Sequence, residues 1–191
     1  MVTLATPFVC GHCFRDVAAL PTAKYPSGSK PTNVTQVEWN DKPRSECLLC
    51  PACERMTVVV EGAQSPSPPA GNNVDHLPSD VDKSWREARR SYTATTYTAS
   101  VLMCRKLLMH MACDKAGTKE GANFTTCIDE LISSNELPKS HEPLLQAIRK
   151  SGNGGTHKLE SIDEKEAKTT IVVTEQCLRN LYELPNQIAG V

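Results

Sequence analysis

The chain has 191 residues, 39% hydrophobic content and a net charge of −1 from 21 basic and 22 acidic residues. That length holds one ordinary core plus a small module, and the charge balance excludes the bulk positive field that advertises nucleic-acid binding, so any such contact must be local. No stretch approaches the roughly 18 apolar residues of a membrane helix, and Met1 to Ala18 lacks the basic flank and apolar run of a secretory signal; a soluble protein with no membrane partner is expected. Nine cysteines, an odd number scattered partly through helical patterns, point to a reducing compartment and a cytoplasmic location.

The first elements in chain order surround two short cysteine pairs. Cys10-Gly11-His12-Cys13 and Cys50-Pro51-Ala52-Cys53 are separated by 36 residues. Zinc takes four tetrahedral ligands, and each Cys-x-x-Cys turn offers two thiolates to one ion, so Cys10, Cys13, Cys50 and Cys53 spell a closed, structural Zn2+ site. Thr6 to Val9 leads into the first turn, Val34 to Trp39 is a short β-rich run, and Met56 to Val60 leaves the second turn, as in a zinc ribbon. A redox dithiol would need a βαβ context that this region lacks. Cys47 stands three residues before Cys50 and offers an alternative second pair; Cys50 with Cys53 is preferred because it repeats the two-residue gap and runs into Val58-Val59-Val60. His12 reads as a bystander inside the first turn.

Residues 62–76 are rich in Pro, Ser and Gly and read as a linker without a packed element, between a zinc ribbon over 1–61 and a helical domain over 77–191. Ser79 with Asp82 resembles a capping box opening a helix to about Arg90. A second helix is expected from about Ala94 to Lys115, with Tyr97, Val101, Leu102, Leu108, Met111 and Ala112 as its stripe, and a third over Asn123 to Ser134, with Phe124, Ile128, Leu131 and Ile132. Ser140 is expected to cap a fourth, with Leu144, Leu145 and Ile148 inward and Gly152 as the residue just past its end. Ser161 and Glu164 spell a capping box for the last helix, carrying Ile171, Thr174, Leu178 and Leu181 until Pro185 stops it. The fold class expected is mainly α, a bundle of about five helices behind a small β-rich module.

One segment breaks the helical pattern. Ile148-Arg149-Lys150-Ser151-Gly152-Asn153-Gly154-Gly155-Thr156-His157 reads as a helix end giving way to a glycine-rich loop that closes on a histidine. Glycines allow close approach of a ligand, while Arg149, Lys150 and His157 supply cationic or proton-transferring groups. Arg105 lies one turn after Val101 and would share an anion with Arg149 if the two helices pack. The plainer reading, in which the glycines only end a helix and His157 caps or packs, stands beside it. His76, His110 and His141 read as surface or cap residues.

The order of motifs resembles the bacterial family catalogued as domain of unknown function 4145. It rests on the Asp80-Val81 helix start, Trp85-x-Glu87-Ala88, Cys104-Arg105-Lys106-Leu107-Leu108, Ile148-Arg149-x-x-Gly152-Asn153-Gly154-Gly155-x-His157 and the closing Leu181-Tyr182-x-x-Pro185, over roughly residues 77–186. Met109-His110 stands where that family usually has an acidic residue. The resemblance implies kinship with the HEPN superfamily of helical, dimerising domains, which includes metal-independent ribonucleases of defence and toxin-antitoxin systems. It implies a homodimer acting on RNA, with Arg149 stabilising the phosphorane charge, His157 as general acid or base and Asn153 orienting phosphate or His157. Arg105, Lys150 and Gly154 would then bind substrate. Seven residues separate Arg149 from His157, more than in the nucleases of that superfamily. The alternative is a non-catalytic module of a restriction or defence complex, binding nucleotide or nucleic acid through the same loop and a protein partner through the ribbon.

Overall fold

The computed structural model describes residues 6–26, 43–134, 136–154 and 161–189. It is mainly helical with a small β region in front, and divides into two compact units, Met1–Pro69 and Ala70–Val191.

The first unit is an antiparallel sheet in the order β1 (Thr6–Val9), β2 (Asp16–Pro26), β3 (Pro43–Leu49), β4 (Met56–Val60) and β5 (Ala63–Ser65). β1 and β4 are the strands expected around the cysteine turns; the run Val34 to Trp39 lies outside the described residues. β2 and β3 carry prolines at Pro21, Pro26 and Pro43, which cannot donate to a ladder. Their pairing absorbs this with register shifts between Pro21 and Ala23 and between Tyr25 and Pro26.

The second unit contains α1 (Ser79–Thr93), α2 (Tyr97–Lys115), α3 (Phe124–Ser133), α4 (Glu142–Gly154), α5 (Glu164–Leu178) and α6 (Leu184–Ala189). Trp85, Leu108, Met111, Ile128, Leu131, Leu145, Ile171 and Leu178 are its largest fully buried apolar side chains. Ser100 closes the contact of α1 with α2 by donating its hydroxyl to the Ala88 carbonyl at 2.9 Å. Leu108→Ala should lower the unfolding free energy by about 2–5 kcal/mol, since a fully buried leucine leaves a cavity. The test is the urea midpoint at unchanged slope; a shift equivalent to less than about 0.5 kcal/mol would contradict this core.

Several helix ends differ from the expected ones. Ser79 does not cap α1: Pro78 (φ −53°, ψ 148°) stands at the boundary, no side chain caps it, and Ser79 is already helical. α2 begins at Tyr97 rather than Ala94, because Thr95 takes a left-handed conformation (φ 60°) between the two helices. α3 starts one residue after the expected Asn123, which caps it instead, accepting from the Thr126 amide at 3.0 Å. Ser161 does not cap α5; Asp163 does, accepting from the Glu166 amide at 2.8 Å, where a carboxylate also meets the positive helix end. α4 runs on to Gly154, two residues past the expected stop at Gly152. Leu102 and Leu144, expected inward, are 53% and 43% exposed.

Pro185 does not end the chain's last helix. Residues Arg179–Glu183 form a π-helical turn and α6 follows directly. A proline in a helix lacks its N–H and crowds the carbonyl four residues back, and a widened turn ahead of it relieves both problems. Within that turn the Tyr182 hydroxyl donates to Asp114 Oδ2 at 2.9 Å, and the Lys115 ammonium lies over the Tyr182 ring. Burial raises the Asp114 pKa, but the Tyr182 hydroxyl and Lys115 outweigh it and hold this carboxyl below its ordinary value. A carboxyl depressed in the folded state stabilises above its unfolded pKa, near 3.9, and loses that contribution as pH falls through the folded value. Tyr182→Phe should cost about 1 kcal/mol at neutral pH, a charged hydrogen bond discounted because Asp114 is 42% exposed. The difference from wild type should shrink in acid titrations of stability; a constant difference across that window would contradict the assignment.

The segment read as a linker over 62–76 is packed at both ends. Ala63–Ser65 pairs with β4, and the Gln64 side chain donates to the Val9 and Pro66 carbonyls, each at 2.9 Å. Ala70 and Val74 are buried among the helices. The composition misleads because side chains, rather than regular pairing, satisfy much of this backbone.

Candidate functional site

The two cysteine turns are built alike. The Phe14 amide donates to the Cys10 carbonyl at 2.8 Å and the Cys10 amide to the Arg15 carbonyl at 3.0 Å; Glu54, Cys50 and Arg55 repeat both bonds at the same distances. Phe14 and Glu54 each adopt a left-handed conformation to close their turn. Gly11 is required by close approach, since a Cβ there would stand 2.6 Å from the Ser67 carbonyl oxygen.

These turns bring Cys10, Cys13, Cys50 and Cys53 together, with all four Sγ atoms within 4.8 Å of one another. Cys10 Sγ lies 3.8 Å from Cys53 Sγ and Cys13 Sγ lies 3.7 Å from Cys50 Sγ. A disulfide needs about 2.05 Å, whereas four thiolates about 2.3 Å from a central tetrahedral ion stand roughly 3.8 Å apart, so the group fits one metal ion. Burial pushes the Cys10 thiol up to about 12. Burial also opposes ionisation of Cys50, but the Ala52 and Cys53 amides with the neighbouring thiols bring it down to about 7. Cys47 pairs across from Val58 in the sheet and is not in the group. The His12 ring is engaged elsewhere, its Nε2 lying 3.0 Å from the Met56 carbonyl oxygen. Among the described residues no other cluster of three or more such ligands occurs.

Arg149 and Arg105 are brought to the same stretch of α4. Arg105 Nη1 donates to the Ile148 carbonyl at 3.4 Å, and its guanidinium lies 3.9 Å from the Phe124 ring centroid. Partial burial lowers its pKa from the usual arginine value. Arg149 Nη1 reaches Asp129 Oδ1 on α3 at 3.4 Å and Gln146 Oε1 at 3.3 Å. Arg105 pairs with neither Glu87 nor Asp129; it stacks. Because α4 continues to Gly154, Arg149 and Asn153 stand one helical turn apart on one continuous element, not on a helix and a loop. Lys150 and Gly154 belong to the same helix, while Gly155, Thr156 and His157 lie outside the described residues. On the α5 side of α4 is a cleft of about 260 Å³, lined by Ala147, Ile148, Asp163, Glu166, Thr169 and Thr170 among others.

Two groups were not anticipated. Arg89 and Glu175 are 2% and 3% exposed, buried among Trp85, Ile171 and Val74. Each falls on its helix's apolar stripe, and a charge in such a stripe was the available signal. His141, expected at the surface or as a cap, is half-buried, with Nε2 3.3 Å from Asn180 Nδ2.

A mainly helical unit behind a four-cysteine module is thus the class that fold and site define. Residues 86–191 match the family model described as Domain of unknown function (DUF4145), and the chain belongs to that family. No curated protein and no solved structure matches the chain. No helix among the described residues is long and apolar enough to cross a membrane.

Proposed function

We propose that this chain is a HEPN-like protein of prokaryotic defence or toxin type that acts on RNA as a cytoplasmic homodimer. Arg149 neutralises phosphate charge, His157 transfers the proton and Asn153 orients one of them, without a catalytic metal. A structural Zn2+ on Cys10, Cys13, Cys50 and Cys53 holds the N-terminal unit as a zinc ribbon. The observation that supports the RNA reading most is that Arg105 reaches the Ile148 carbonyl, next in the chain to Arg149, in a chain of this family. The Arg105 guanidinium sits over the Phe124 ring and pairs with no carboxylate among the described residues, which leaves donors for a phosphate. Lys150 and Gly154 belong to the same helix as Arg149 and would bind substrate with the two arginines.

A second reading has its own support. Arg149 already has acceptors in Asp129 and Gln146, and seven residues separate it from His157, which favours a non-catalytic module binding nucleotide or nucleic acid within a defence complex. Incubation with a mixed pool of structured and single-stranded RNA separates the two. Cleavage absent from His157→Ala supports the ribonuclease; binding that survives that substitution, with no cleavage by either protein, supports the module.

A further inference from the structure

A cleft of about 200 Å³ lies between α1 and α2, lined by Asp80, Val81, Ser84, Lys106, Leu107 and His110, and it shares no residue with the Arg149 surface. Helical spacing makes its two walls. Asp80 and Ser84 stand four residues apart on α1 and Lys106 and His110 four apart on α2; residues so spaced share a helix face, about 5–6 Å from each other. The Ser100 bond to the Ala88 carbonyl ties the two helices near their joined ends, and both walls lie beyond it toward the far ends. Val81 and Leu107, each 2% exposed, back the cleft and belong to the core.

The two walls differ in chemistry. Lys106 and His110 are exposed, and neither makes a hydrogen bond or salt bridge among the described residues. Asp114, one turn beyond His110, is already engaged by the Tyr182 hydroxyl at 2.9 Å and the Lys115 ammonium at 3.3 Å. On the other wall, Asp80 Oδ1 accepts the amide of its neighbour Val81 at 2.9 Å, and Ser84 adds a half-buried hydroxyl. An ammonium and an imidazole suit an anion with several oxygens, whereas a carboxylate and a hydroxyl accept the protons of ligand hydroxyls. A ligand that satisfies both walls therefore has an anionic end and a hydroxylated body, with C–H groups to lay on Val81 and Leu107. The volume falls below the roughly 300–1,000 Å³ of drug-sized sites, which selects a small molecule over a polymer segment.

We propose that this cleft is a separate ligand site that takes a small phosphorylated sugar, Lys106 and His110 holding the phosphate and Asp80 and Ser84 the sugar hydroxyls. Ribose 5-phosphate is the probe, titrated into the wild-type full chain and followed by the amide resonances. The shifts should saturate with a dissociation constant at or below about 1 mM and centre on residues 80–84 and 106–110. Ribose and inorganic phosphate each lack one half of the ligand and should bind at least about tenfold more weakly. Lys106→Ala should weaken ribose 5-phosphate at least about tenfold, and Asp80→Ala should weaken it without weakening inorganic phosphate. Both positions are exposed, so the variants should keep the wild-type amide spectrum elsewhere. No saturable shift, shifts centred on α4 instead, or inorganic phosphate binding as tightly as the ester would overturn the site, as would unchanged affinity in Lys106→Ala. Should a variant fail to fold, the three wild-type titrations decide alone.

Discussion

Cys50→Ser is expected to abolish metal retention and unfold the N-terminal unit while the helical unit stays folded. Among the residues of Met1–Pro69 whose burial is described, Cys10, Gly11, Leu48, Cys50 and Thr57 are buried, and two of these are candidate ligands. A module of this length buries little apolar surface of its own against the conformational entropy of ordering the sheet. On the proposed zinc reading metal binding would supply the difference, on the order of 10–16 kcal/mol apparent for structural zinc at neutral pH. The helical unit has its own core, with the buried side chains of α1 to α5 in one cluster. Metal analysis should give one zinc per wild-type chain and none for the variant. Amide protection should vanish from β1 to β5 and persist in α2 and α5. Because thiolates are the ligands, protons compete with the metal, so retention should fall as pH falls. A variant that keeps its zinc, or loses it with no change in the sheet, would show that this cluster does not hold the unit together.

Arg149→Ala and His157→Ala are each expected to lower RNA cleavage by about 10²–10⁴-fold, the range that a positioned charge or a general acid contributes. The Arg149 pair with Asp129 does not oppose this. At 3.4 Å, with side chains 33% and 54% exposed, it is worth at most about 1 kcal/mol, so a phosphate can displace it. For the same reason Arg149→Ala should leave stability within about 1 kcal/mol of wild type, separating a lost active group from a lost fold. Equal cleavage by Arg149→Ala and wild type would remove Arg149 from the site.

Local signals were legible in the amino-acid order and non-local compensation was not. Two Cys-x-x-Cys turns each determine a knuckle through neighbouring residues, and the four sulfurs meet as the spacing implies. β2 and β3 escape a sequence reading because Pro21, Pro26 and Pro43 argue against strands, and the register shifts of their pairing accommodate them; β5 escapes it because it sits in a stretch whose Pro, Ser and Gly content reads as a linker. Helix identities followed from periodicity, but their ends depended on competition between adjacent candidates: Asp163 over Ser161, Pro78 over Ser79. Pro185 looked like a stop until the π turn ahead of it absorbed the missing donor. Arg89 and Glu175 escape a sequence reading because they bond main-chain and side-chain groups of Ala70 to Asn73, distant in sequence from Glu175 and set in a stretch whose composition suggests a linker. Of the Arg149 site, the arginines are placed, Asn153 sits on the helix that carries Arg149, and His157 lies outside the described residues.

Cleavage of a mixed RNA pool by wild-type protein and His157→Ala, purified in parallel and assayed with and without EDTA, tests the RNA-directed function most directly. Cleavage that survives the chelator and is lost in the variant is the predicted result. Cleavage that the variant retains in full, or none by the wild type, would contradict a metal-independent ribonuclease centred on Arg149 and His157.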